Sequence, residues 1–174
     1  MITYALGRGL YVALTNRANT TPLFNTRGPG FKITSTQFEP LPEGVEPEAQ
    51  QVLAAVGSAL ALPLGPAKYD SIVFAGFGEP TLRLGSLLEV CQGLKAGVAK
   101  DIPLRLSTNG LGNVLHGRDL IPELAASGIM GVTVALNTGL FGSQRLLCGT
   151  HAHLYIYIST CTCLANFTPH CLPT

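Results

Sequence analysis

Short apolar runs alternate along the chain with longer stretches in which apolar residues recur every three or four positions. Four of the short runs have the length and composition of strands buried in a sheet. They lie at Leu10–Leu14, Ile72–Ala75, Pro103–Ser107 and Val132–Leu136. Each run ends in a polar pair or a glycine-rich turn, and we therefore predict four strands that stop at these points.

The stretches between these strands include three segments with helical periodicity. They lie at Glu46–Leu62, Leu82–Val98 and Asp119–Ala126. The first has an apolar face and acidic residues in its first turn, where they complement the helix dipole. The third stops at Gly128, which favours a C-cap. The alternation of strands and helices predicts the α/β class, with about four parallel strands joined by helical crossovers.

The polar ends of the four predicted strands indicate a ligand site. These ends are Thr15-Asn16, Gly78-Glu79, Thr108-Asn109 and Asn137-Thr138. Parallel strands present their carboxyl ends on one side of the sheet, so the four ends would line one pocket for a polar small molecule. Asparagine and glycine are also ordinary turn residues, so turn formation alone is the alternative interpretation.

Glu79 stands out among these ends because it is a carboxylate between a buried strand and a helix. Flanking glycines let a ligand approach the backbone closely, and Pro80 stiffens the exit from the loop. One hypothesis pairs the Glu79 carboxylate with a ligand ammonium group. The other makes Glu79 the cap of the helix that follows.

The last part of the chain differs in amino-acid composition from the rest. Residues 139–174 contain no acidic residue and hold four of the five cysteines. Leu154–Ile158 is suited to one further strand. The cysteines and His170 offer soft donors there, but their spacing matches no standard zinc or iron–sulfur pattern. We therefore divide the chain into a domain at 1–138 and a divergent tail at 139–174.

The composition of the chain limits which classes of molecule it is expected to bind. The net charge is +1 and only 12% of residues are charged, so nothing favours nucleic acid or an anionic membrane. The chain has no apolar run of the roughly 18 residues that a spanning helix needs, and its beginning does not resemble a secretory signal. We expect a cytoplasmic or organellar protein that is not secreted. The 47% hydrophobic content indicates an exposed apolar edge, which a protein partner would cover.

A set of short segments, in order along roughly residues 3–138, resembles the radical SAM enzymes and most closely their TatD-associated branch. The segments are Tyr4–Gly7, Leu10–Val12, Leu14–Arg17, Phe77–Arg83, Ser107–Asn113, His116–Leu120, Pro122–Leu124 and Val134–Asn137. The resemblance implies a partial (β/α) barrel that is incomplete relative to the family's core. It also implies S-adenosylmethionine and a [4Fe–4S] cluster, which together generate a radical that abstracts hydrogen from a substrate.

The resemblance also implies cofactor-binding residues. The family's Gly-Glu-Pro loop contacts the methionine amino group, and it corresponds here to Phe77, Gly78, Glu79 and Pro80. The strand ends at Thr108, Asn109 and Asn137 would line the same cofactor pocket.

The chain departs from the family at the cluster loop. The three cysteines that hold the cluster are replaced by Ala18, Pro22 and Asn25. An iron–sulfur cluster needs thiolate ligands, so this loop is not expected to hold one and we assign no metal ligands. The residues leave open whether the chain is an enzyme. A non-catalytic module that binds an adenosyl ligand or a protein, and a truncated product without independent function, are the alternatives.

Overall fold

The computed structural model describes residues 1–20, 38–62, 68–97, 99–136 and 155–160. The strands of these residues are β1 Thr3–Leu6, β2 Gly9–Val12, β3 Ser71–Phe74, β4 Leu104–Thr108, β5 Ile129–Leu136 and β6 Tyr155–Thr160. The helices are α1 Ala49–Ala61, α2 Leu84–Ala96, α3 Gly112–His116 and α4 Ile121–Ala126, and a 3-10 turn spans Pro80–Arg83.

The six strands form one open sheet in which each strand lies beside its neighbour in sequence. Strands β2 to β6 run parallel, and β1 pairs antiparallel with β2. The predicted α/β class and parallel strands are therefore confirmed. The described strands do not close into a barrel, since β1 and β6 are the two ends of the sheet.

Two strands lie outside the predicted set of four. The hairpin strand β1 was not predicted, and the turn that joins it to β2 uses Gly7 at a φ of 57°. Glycine is favoured in such tight hairpin turns because they require positive φ. The further strand expected at Leu154–Ile158 is present as β6, which pairs in parallel with β5. It adds a fifth parallel strand to the sheet.

Helices α1 and α2 pack against one face of the sheet. Alternate strand residues point to that face and are buried: Leu10, Val12, Ile72, Phe74, Leu104 and Leu106. They join residues of both helices, such as Val56 and Leu87, in one hydrophobic cluster. Tyr11 and Val73, which are paired across β2 and β3, point to the other face and are half-buried. The helices thus fix the sheet from one side and leave its carboxyl edge to the loops.

The start of α1 corrects the sequence prediction. The helix begins at Ala49 and has no acidic residue in its first turn. Glu48 is its N-cap instead, in a capping box with Gln51. Pro47 lies just before the cap, so Glu46 stays outside the helix and its side chain is used elsewhere. The short helix α3 was not predicted.

The predicted boundary at residue 138 lies outside the described residues. Among the helices of the described segments, none is both long and apolar enough to cross a membrane.

Candidate ligand site at the carboxyl edge of the sheet

The side chain of Glu79 is buried between the carboxyl ends of β3 and β4. Only 4% of the residue's surface is exposed. Its Oε1 accepts hydrogen bonds from the hydroxyl groups of Thr81 and Thr108, both at 2.7 Å, and from the backbone N–H of Thr81 at 3.1 Å. Its Oε2 accepts from the backbone N–H of Asn109 at 2.8 Å. One carboxylate therefore fixes the turn after β3 to the end of β4.

The end of β2 joins the same arrangement through the backbone. The N–H of Glu79 donates to the carbonyl oxygen of Arg17 at 2.8 Å. The Asn109 side-chain amide donates to Oδ1 of Asn19 at 2.7 Å. Three consecutive parallel strands thus bring their carboxyl-terminal loops into direct contact.

Gly78 allows this contact because its backbone lies against the loop after β2. A Cβ atom at Gly78 would stand 2.4 Å from the carbonyl oxygen of Arg17 and 2.5 Å from that of Thr15. Both neighbours are backbone atoms, which cannot rotate away as a flexible side chain can. The glycine is required here for close packing of two loops.

The structure brings most of the predicted site residues together. Glu79, Thr108 and Asn109 are joined by hydrogen bonds. Phe77, Gly78 and Pro80 lie in the same loop as Glu79, and Asn137 lies outside the described residues. Phe77, Gly78 and Asn109 are half-buried, whereas Glu79, Pro80 and Thr108 are buried.

Thr81 is a member of this site that the sequence analysis missed. It gives Glu79 both a hydroxyl and a backbone donor, and its own carbonyl oxygen lies 2.8 Å from Nε2 of His116. A threonine two residues after an acidic cap is a signal that could have identified it.

The contacts of Glu79 bear on its two proposed roles. Its side chain accepts the backbone N–H of Thr81 and so caps the 3-10 turn Pro80–Arg83, as the capping hypothesis expects. Glu79 does more than cap the turn, because its carboxylate also accepts hydrogen bonds from Thr108 and Asn109 at the end of β4. Direct pairing of Glu79 with a ligand ammonium stays a prediction.

A second polar cluster lies beside the first, on the loop after β2. Glu46 accepts from the Thr15 hydroxyl at 2.5 Å and from Nε and Nη2 of Arg17 at 2.7 and 3.0 Å. Arg83, the last residue of the turn that Glu79 caps, places its Nε 3.6 Å from Oε2 of Glu46. The sequence analysis placed Glu46 in the first turn of a helix, but its carboxylate instead forms ion pairs with these two arginines.

The hydrogen bonds of Glu46 make the stability of the fold depend on pH in the acidic range. The hydrogen bond from Arg17, and then that from Thr15, lower the pKa of Glu46 from its ordinary 4.5. A carboxyl group whose folded-state pKa is lowered stabilises the fold above its unfolded-state pKa and ceases to do so as the pH falls through the folded-state value. We therefore expect Glu46→Gln to be less stable than the wild type at neutral pH, with the difference shrinking once the pH falls below 4.5.

Denaturant unfolding of both proteins between about pH 7 and about pH 3 measures this difference. Arg8 likewise lowers the pKa of Asp70, but that exposed pair is the same in both proteins and cancels. A stability difference that stays constant across the range would contradict the assignment to Glu46.

The residues at the positions where the radical SAM resemblance implies cluster cysteines do not fit an iron–sulfur cluster. Ala18, at the first position, has no donor atom, and Pro22 and Asn25 lie outside the described residues. Proline has no side-chain donor, and a neutral amide is a poor ligand for iron in such a cluster. Within the described segments, no three His, Cys, Asp or Glu side chains are grouped to hold a metal ion.

Comparison of this chain with models of protein families and with curated proteins found no match in either set. The radical SAM resemblance therefore depends on the short motifs alone.

Proposed function

We propose that this chain is a partial (β/α) barrel of radical SAM ancestry that binds an adenosyl ligand, S-adenosylmethionine first of all, without cluster-dependent radical chemistry. The observation that carries the proposal is the Glu79 network, because it unites the carboxyl ends of neighbouring parallel strands. Ligands of (β/α) barrels bind at these ends of the strands. The sequential strand order supports the barrel ancestry.

The burial of the site residues assigns them different parts in the proposed binding. Glu79 and Thr108 are buried, so they shape the edge from within. Phe77, Gly78 and Asn109 are half-buried, so a ligand can reach them. Backbone carbonyl groups of the loop after β3 would accept from the ligand's amino group. The Asn109 side chain would hold the adjoining loops in place, because it bonds Asn19 and the backbone N–H of Leu111.

The absence of thiols at the cluster positions separates this proposal from catalysis. The family's chemistry depends on electron transfer from the cluster to the bound cofactor, and the residues here supply no ligand set for that cluster. We therefore propose binding alone and derive no reaction step.

Calorimetric titration of the protein with S-adenosylmethionine tests the proposal. We expect saturable binding in buffer without iron, and an Asn109→Ala variant that binds about tenfold more weakly because the loops after β2 and β4 lose the hydrogen bonds of the Asn109 side chain. Gln92→Ala, on the exposed side of α2, is the control and should bind as the wild type does.

Two outcomes would overturn the proposal. Heat of dilution alone would leave the alternative of a product without independent function. A charge-transfer absorbance band near about 400 nm after anaerobic iron–sulfur reconstitution would restore the catalytic alternative.

A further inference from the structure

Arg83 connects parts of the edge that are distant in sequence. Its side chain is only 12% exposed. Its Nη1 donates to the carbonyl oxygen of Leu14 at 3.3 Å and to that of Pro47 at 2.7 Å. The residue therefore joins the loop after β2 to the segment that leads into α1, from the last position of the turn that Glu79 caps.

Glu46 extends the connection to the proposed ligand edge. Arg83 lies beside the Glu46 carboxylate, which in turn fixes the Thr15 hydroxyl and the Arg17 guanidinium. The Arg17 carbonyl oxygen accepts the N–H of Glu79. A continuous series of polar contacts therefore runs from Arg83 through Glu46 and the β2 loop back to the Glu79 turn.

We propose that Arg83 is a positioning residue for this edge, which holds the β2 loop against the Glu79 turn through Glu46 and the Leu14 carbonyl group. The proposal rests on the proposed function, since it concerns the same site. Arginine suits the role because its planar guanidinium donates in several fixed directions at once, whereas lysine offers a single compact charge. Its burial separates this contact from an ordinary surface ion pair, which contributes little.

An Arg83→Met variant tests the role, because methionine keeps an unbranched apolar stem and removes every donor. We expect hydrogen exchange of the Glu79 and Arg17 amides to become about tenfold faster, because these amides bond within the edge. Amides of the sheet core, such as Phe74 and Leu106, should keep the wild-type rate. A merely structural role would instead speed edge and core amides together through global unfolding.

Arg8→Met is the matched control. Arg8 forms a two-pronged ion pair with Asp70 before the start of β2, so the same substitution there removes an Arg–carboxylate pair far from the carboxyl edge. It should leave the Glu79 amide unchanged. Arg83→Lys is the second variant, used if Arg83→Met fails to fold, and it should show an intermediate increase because one charged donor remains.

The proposal is overturned if the Glu79 and Arg17 amides exchange at the wild-type rate in Arg83→Met, or if edge and core amides accelerate equally. Titration with S-adenosylmethionine adds a separate readout, in which we expect Arg83→Met to bind about tenfold more weakly and Arg8→Met to bind normally. If the wild type does not bind the ligand, the proposed function fails, while the exchange measurement still decides the positioning role.

Discussion

Replacing Glu79 with alanine is expected to lower the free energy of unfolding by about 3–5 kcal/mol, because buried donors lose their shared acceptor. The hydroxyls of Thr81 and Thr108 and the N–H groups of Thr81 and Asn109 all donate to this carboxylate. An alanine methyl group cannot accept a hydrogen bond, and the site of Glu79 is too deeply buried for bulk water to replace the carboxylate. Chemical denaturation of the purified variant measures the loss.

Glu89→Ala is the control for this prediction. Glu89 is exposed on α2, and removing its carboxylate should change stability by no more than about 0.5 kcal/mol. If Glu79→Ala lost no more than about 1 kcal/mol, Glu79 would be acting only as a helix cap and its role in joining β3 to β4 would be refuted.

Replacing Gly78 with alanine is expected to lower the free energy of unfolding by about 2–4 kcal/mol through overpacking. The new Cβ atom would stand 2.4 Å from one backbone oxygen and 2.5 Å from another in the loop after β2. Relief requires this loop to move away from the Glu79 turn, so the hydrogen bond from the Glu79 N–H to the Arg17 carbonyl would be lost as well. Thermal and chemical unfolding measure the effect.

Gly57→Ala provides the matched comparison. Gly57 lies within α1, and a Cβ there meets nothing within 4 Å. Alanine at this helical position should stabilise the protein by about 0.5–1 kcal/mol. Equal stability changes in the two alanine variants would refute the close approach of the loops at Gly78.

The strands of the sheet were largely predictable because their burial is visible in the sequence. Apolar runs at β2, β3, β4 and β5 stand between turn residues, and the helices between them require parallel pairing. That topology alone brings the carboxyl ends of the strands to one edge, so the neighbourhood of Glu79 and Asn109 followed from the pattern. Strand β1 was not predicted, and it pairs antiparallel with β2 through a short hairpin, outside the alternation of parallel strands and helices.

The contacts within the edge were not predictable, because they join residues far apart in the chain. Thr108 and Glu79 are 29 positions apart, and Arg83 and Leu14 are 69 apart. No local pattern indicates which donor a buried carboxylate will meet across such distances. The position of Glu46 has a local cause, since Pro47 and the capping box of Glu48 start α1 after it.

The most direct test of the account is to titrate isotope-labelled protein with S-adenosylmethionine and follow the amide chemical shifts. We expect the shifts to concentrate at Phe77, Gly78 and Asn109, on the loops where β3 and β4 end. Binding without shifts there, or shifts confined to Arg8 and Asp70 at the amino ends of the strands, would contradict a ligand site at the carboxyl edge.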